Sequence, residues 1–583
     1  VKRATGWLLA GALACRGDVD PADPATPRDT DPPGPAATTP LDPAAGLARA
    51  SMALRGVRPT PDELRAVVAD PTLTAGYIDA WLRDPRFAAT VQDLYADVLF
   101  VRSPDATLPQ LGPHLRTPRK QLQDAVANEP LRLIERVVTD DLPFTTVVTA
   151  DWTVLDATGA SLWRGHGYDP EGADVQQVPH TDGRPAAGLL TTNGLWVRHA
   201  SMGANYNRGR ANAVSRALLC VDHLDRDVPI DGSVDLTDDD AVADAVDTNP
   251  ACVSCHQSLD PIASTLWPIF PQIDVGAVGL AYLSGCVGPL GDLCYPARLW
   301  TPELTGAWRL LRTRPPGLSG QPVDDLGGLG AAIAADPRFA TCAADRFWSY
   351  LTQTPLDEVP FEVSAELTTT FLDAGLSARA LAQAVVTHPR FLARAAERPE
   401  IDADLPGPLI ARPEQLGRMV EALTGFQWTQ SVDGPECTLL DLNCYGDVEL
   451  TTDDVYGFRA MAGGVDGASV LVPVHHPTPV QQLALTALAE DAAGFLMRTE
   501  LDLPAADRRL LRLVEADTTD EIAIRAQLAD LHLTVLSEVV DPAGAEVDAT
   551  WQLWQAVHAR STPRRAWTAT LAALLQAPQA WMY

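Results

Sequence analysis

Apolar residues in this chain recur at helical spacing, and that restricts it to an architecture of packed helices. The spacing predicts helices within Ile78–Leu82, Val91–Leu99, Leu122–Val138, Ala211–Leu219, Leu329–Ala334, Cys342–Leu351, Leu381–Val386, Leu416–Leu423, Val480–Leu496, Ile522–Leu536 and Trp551–Leu575. Strand-like alternation is scarce. Thr60-Pro61-Asp62-Glu63 reads as a helix start: a capping hydroxyl, Pro in the first turn and acids at the positive end of the dipole. Leu64, Val67 and Val68 would form its inward face. With 583 residues, 46% of them hydrophobic, the chain has apolar material for more than one domain, and its 48 Pro and 41 Gly predict long loops. The expected fold is therefore a mainly α, multi-domain protein with long loops.

A short phrase punctuates the helices. Asp84-Pro85-Arg86-Phe87, Asp336-Pro337-Arg338-Phe339 and His388-Pro389-Arg390-Phe391 each follow a helical stretch. Each predicts that one helix stops before Pro and another begins, with Phe facing the junction. Their irregular spacing excludes a regular solenoid.

Lys2 and Arg3 precede the apolar run Gly6–Ala14, too short to span a bilayer and suited to a signal peptide, which ends at Cys15 in the manner of a bacterial lipobox. The organisation expected is a signal peptide over 1–15, a Pro/Asp/Thr-rich disordered tether over 16–43, an N-terminal helical domain over 44–230, a small segment over 231–305 whose Cys252-Val253-Ser254-Cys255-His256 makes it read as a c-type-cytochrome-like haem segment, a helical continuation over 306–400 and a C-terminal helical domain over 401–583. The chain is expected to be exported to the periplasm or outer membrane and held there by its lipid alone. A formal net charge of −32 argues against a nucleic-acid partner, since phosphate binding needs Lys and Arg.

Cys252-Val253-Ser254-Cys255-His256 is the motif that carries chemistry. With nine Cys and 11 His, chance would place a Cys-x-x-Cys-His in roughly 0.3% of such chains, so the signal is specific. Two thiols three residues apart can add across the vinyl groups of a haem, and the adjacent imidazole then lies under the iron. The expectation is one covalent haem c, anchored by Cys252 and Cys255 with His256 as axial ligand. The Asp260-Pro261 turn would supply the acceptor for the other imidazole N–H, and Leu259, Ile262, Leu266, Trp267, Ile269 and Phe270 an apolar wall. Zinc or a redox disulfide would also use two such thiols, but no second Cys-x-x-Cys or His-x-x-His partner and no thioredoxin-like context accompanies them. For the distal side of the iron Met202 is the first choice, with His199, His223 or an open site as alternatives.

Cysteine parity fits this reading. Lipid on Cys15 and haem on Cys252 and Cys255 leave six cysteines of the nine. Cys286 with Cys294 and Cys437 with Cys444 are close in sequence, and elimination pairs Cys220 with Cys342.

Several stretches together resemble the planctomycete-type cytochrome c-like proteins, large multi-domain chains built from domains of unknown function. Leu54–Leu64 and Tyr77–Leu99 are similar to that family's Leu-x-Gly-x-x-Pro-Thr-Pro-x-Glu phrase and the Pro-Arg-Phe junction after it. Asp141–Phe144 with Thr149–Thr153, then Gly188–Thr191, Arg198-His199 and Asn205–Arg210, are similar to its segments before the cysteine motif. Asn249–Ile262 resembles its Cys-x-x-Cys-His-x-x-x-Asp-Pro core, while Ala263–Trp267 departs from the usual continuation. His476–Leu485 is more loosely similar to a partner domain. The resemblance implies haem c and an envelope location, and no defined substrate. The function expected is electron transfer with an unidentified redox partner, extending to oxidoreductase chemistry if the iron is five-coordinate. The alternative is a non-enzymatic envelope scaffold or surface-binding lipoprotein in which the motif is structural.

Overall fold

The computed structural model describes residues 38–583 except 105, 107, 109, 111, 202–205, 226–233, 236, 270–294, 312 and 433–443. Cys15, most of the tether, Met202, Phe270, Cys286, Cys294 and Cys437 therefore lie outside the described residues. Helix makes up 58% of the structure, and among the described residues the strands form only two-stranded sheets. The protein is mainly α.

Thr60 accepts from the Glu63 N–H (3.2 Å) and the Glu63 carboxylate accepts from the Thr60 N–H (2.7 Å), so Pro61–Ala69 begins with the reciprocal cap its sequence predicts. Leu64 and Val67 are buried, but Val68 is 48% exposed. A short helix resting on one neighbour buries a stripe rather than a sector, and Val68 falls outside it. The span Trp551–Leu575 is two helices, Ala545–His558 and Pro563–Gln576. The break follows from Thr562, which caps the second, and from Pro563, which cannot continue the first. Ile522–Leu536 likewise changes character, from an α-helix over Glu521–Leu531 to a π-turn over His532–Leu536.

Two of the three Pro-Arg-Phe junctions behave as predicted. Asp84 caps Pro85–Leu99 and Asp336 caps Pro337–Thr352, each carboxylate also holding the Arg two residues on. The third departs: His388 Nδ1 accepts from the Arg390 N–H (3.1 Å), imitating the Asp cap, but the chain then enters the strand Ala393–Ala396. That strand pairs antiparallel with Thr38–Pro40, and the pairing takes the place of a helix. Thr38–Pro40 is thus a strand, inside the stretch expected to be a disordered tether. All three Phe side chains are buried.

Apolar side chains gather in two large clusters. The first joins Leu47–Val148 with Leu189–Leu219, Leu259–Ile269 and Leu326–Phe391. The second is built on Pro413–Thr424, Pro479–Thr499, Glu521–Leu531, Ala545–His558 and Pro563–Gln576. A seam of ion pairs joins them, Asp93 to Arg418 (2.7 Å) and Asp97 to Arg459 (3.2 Å), and Leu409 and Tyr583 exchange backbone hydrogen bonds. Within 231–305, Leu259–Ile269 and Trp300 pack into the first cluster, whereas Tyr295, Ala297 and Leu299 belong to a third, smaller one.

One detail of the first cluster positions the site. Arg119–Thr139 runs straight through Pro130, which has no N–H to give the Val126 carbonyl. The start of the helix Asn193–Arg198 docks there, with the Asn193 and Gly194 N–H groups donating to the buried Glu129 carboxylate at 2.9 and 2.8 Å. The chain reaches Arg198 and His199 from that anchor.

Candidate functional site

The Cys-x-x-Cys-His motif lies in the first turns of the helix Pro250–Thr265. Asn249 caps it by accepting from the Ala251 N–H (3.0 Å), and Pro250 occupies the first helical position, where a missing N–H costs nothing. Three- and four-residue spacing puts Cys252, Cys255 and His256 on one side of this helix. All three are half-buried, and both thiols are free.

The expected turn at Asp260-Pro261 is absent, because the helix continues through Pro261 to Thr265. Pro261 leaves the Gln257 carbonyl without its helical donor, and Gln257 is exposed, so water can replace the lost bond. Asp260 does meet His256, by its side chain. Asp260 Oδ1 lies 3.0 Å from His256 Nδ1, one helical turn away.

Asp260 is 2% exposed, and it is held by a cation from another helix. Arg208 Nε donates to Oδ1 (2.8 Å) and Nη2 to Oδ2 (3.1 Å), a two-pronged ion pair. Burial alone would raise the Asp260 pKa, but the hydrogen bonds from His256 and Arg208 together outweigh it and hold the carboxyl below its usual range. An ionised carboxylate can only accept, so Nδ1 donates to it, and in the neutral imidazole the lone pair is then on Nε2. This is the tautomer that can coordinate a metal.

Most of the described apolar residues expected to wall a haem also pack in the core. Leu259, Ile262, Leu266 and Ile269 belong to the first core cluster. Trp267 is half-buried beside Tyr206, ring centroids 6.4 Å apart. His199 is also engaged: its Nε2 lies 2.9 Å from the Leu99 carbonyl, where it closes the C-terminus of Pro85–Leu99. Burial, reinforced by Arg198, lowers its pKa to about 3, so it is a neutral donor to that carbonyl. His223 is buried in the loop after Arg208–Leu219, its N–H on Asn212 Oδ1 (2.8 Å).

Cys220 and Cys342 form the disulfide that elimination pairs, Cα atoms 5.4 Å apart. Cys444 is disulfide-bonded with a partner outside the described residues. Among the described residues no group of three or more His, Cys, Asp or Glu is arranged to hold a metal ion, and no helix is long and apolar enough to cross a membrane.

Arg208 has no role assigned from sequence, although it lies in the Asn205–Arg210 stretch. The one sequence signal for it is indirect: an acid four residues after His256, on a helix packed into a core, needs a cation from elsewhere. No family model, no curated protein and no solved structure matches the chain.

Proposed function

We propose that the chain is an exported, lipid-anchored, c-type cytochrome-like protein that carries one covalent haem on Cys252 and Cys255, with His256 as axial ligand, and passes electrons to a partner protein. One observation carries this reading. Cys220, Cys342 and Cys444 are all disulfide-bonded, whereas Cys252 and Cys255 stay free on one side of a single helix. Thiols left reduced where others are oxidised need another use, and their spacing suits the two vinyl groups of a haem. The disulfides themselves support an oxidising compartment outside the cytoplasm.

The donor set fits a macrocycle better than a bare ion. Among the described residues no group of three or more His, Cys, Asp or Glu is arranged to hold a bare ion, and a porphyrin brings four nitrogens of its own. When bound, the haem supplies one-electron exchange at its iron. This chain contributes two thioether attachments, the His256 Nε2 lone pair, and the Asp260 carboxylate that holds the proton on Nδ1.

The test is expression in a host with a periplasmic haem-attachment apparatus, followed by a denaturing gel stained for haem peroxidase activity. A stained band is expected at the mass of the chain, lost when Cys252 and Cys255 are both changed to Ser. A wild-type protein with no stained band and no Soret absorption would overturn the reading and favour the scaffold alternative.

A further inference from the structure

Arg208 reaches Asp260 from an unusual stretch of backbone. Tyr206 and Asn207 are consecutive non-glycine residues in the left-handed region, at φ 52° and 64°. Such conformations are costly and persist only where the surroundings enforce them. Here the Asn207 N–H donates to Ser201 Oγ (3.0 Å), the Asn207 side chain accepts from Arg210 Nη1 (3.3 Å), and the Arg208 guanidinium lies 5.3 Å from the centre of the Tyr206 ring. Arg210, itself 1% exposed, also donates to the His199 and Ile269 carbonyls at 2.7 and 3.1 Å. The helix that follows is pinned at its other end, where Cys220 is bonded to Cys342 and Arg346 Nε donates to the Ala217 carbonyl (3.1 Å). The guanidinium is thus fixed from both sides before it meets the carboxylate.

We infer that Arg208 is a positioning residue that sets the electron-donating strength of His256 by way of Asp260, an inference that rests on the haem reading above. Asp260 Oδ1 receives both His256 Nδ1 and Arg208 Nε, so one oxygen carries the whole relay. An anionic acceptor on Nδ1 makes the imidazole a stronger donor at Nε2 than a neutral carbonyl would, which stabilises the oxidised metal and lowers the reduction potential. Arg208 draws charge from that same oxygen and holds it in line. It tunes the ligand without touching it.

Four variants test this: Asp260→Asn, Arg208→Gln, Arg208→Lys, and the double variant Asp260→Asn with Arg208→Gln. Two readouts are needed, the reduction potential of the haem-loaded protein and the ¹⁵N imidazole shifts of His256 in the haem-free protein. In the wild type the shifts are expected to report a single tautomer with the proton on Nδ1. Asp260→Asn is expected to raise the potential and mix the tautomers. Arg208→Gln is expected to shift the potential, Arg208→Lys to restore it, and Arg208→Gln to have no further effect once Asp260 is Asn, because the Arg then has nothing to act through. An unchanged potential and tautomer in Asp260→Asn, or equal effects of Arg208→Gln with and without Asp260, would overturn the inference. Failure of the wild type to attach haem would instead overturn the haem reading, and the tautomer measurement on the haem-free chain would still decide whether Arg208 and Asp260 fix the ring.

Discussion

A methyl group added at Gly194 would lie 1.9 Å from the Val126 carbonyl oxygen, the oxygen that Pro130 leaves without a helical donor. Gly194→Ala is expected to cost about 3 kcal/mol by forcing the two helices apart, read as a lowered denaturant midpoint. Asp454 offers a pH-dependent test. Burial pushes its pKa up, the Arg459 charge and the Ala460 N–H oppose the rise, and it settles at about 6. A carboxyl whose pKa is higher folded than unfolded contributes stability below pH 4 that is lost as the pH rises towards 6. Asp454→Asn should therefore match the wild type near pH 4 and exceed it by about 2 kcal/mol at pH 7; a gap that shrinks with pH would contradict this. Burial acts in the same direction on Asp97, which faces Arg459, Arg412 and Glu414 across the same seam and has Asp93 one turn away on its own helix. Sequence conveys little at this scale. Nothing local to Gly194 announces Val126, and nothing local to Arg208 announces Asp260, since each contact joins residues far apart in the chain.

Helices were far more legible than contacts, because their causes are local. The Thr60 cap, the Pro-initiated starts at Pro85 and Pro337 and the apolar spacing of Arg119–Thr139 are all present in short windows of sequence. The failures have causes that lie outside those windows. At His388 the sequence offers the same turn, yet strand pairing with Thr38–Pro40 wins, and that partner lies more than three hundred residues away. Asp260-Pro261 reads as a turn because Pro weakens a helix, but a helix that buries Leu259, Ile262 and Leu266 tolerates one lost hydrogen bond. Asp336→Ala should cost about 1 kcal/mol through loss of its cap, whereas His388→Ala should cost less, because no helix follows it. Paired chemical denaturation curves would separate the two.

Across the whole molecule, the motif helix is held by the first core. The motif helix packs with Arg208–Leu219 and Leu326–Ala335, and the disulfide closes a separation of 122 residues between Cys220 and Cys342. Reducing that bond should destabilise the fold by about 3 kcal/mol, visible as a lower melting temperature in a thiol reductant, an effect that shrinks in a Cys220→Ala/Cys342→Ala variant in which only the Cys444 disulfide is left to reduce among those described. The mainly α architecture and this pairing were readable from helical spacing and from cysteine parity; the Arg208–Asp260–His256 relay was not, because it exists only once two helices meet. Intact-mass measurement of denatured, reduced protein from a haem-attaching host tests the central claim most directly. The expected mass is that of the processed, lipid-bearing chain plus one haem, falling by one haem when Cys252 and Cys255 are replaced by Ser. A wild-type mass without haem, with both thiols open to alkylation, would contradict it.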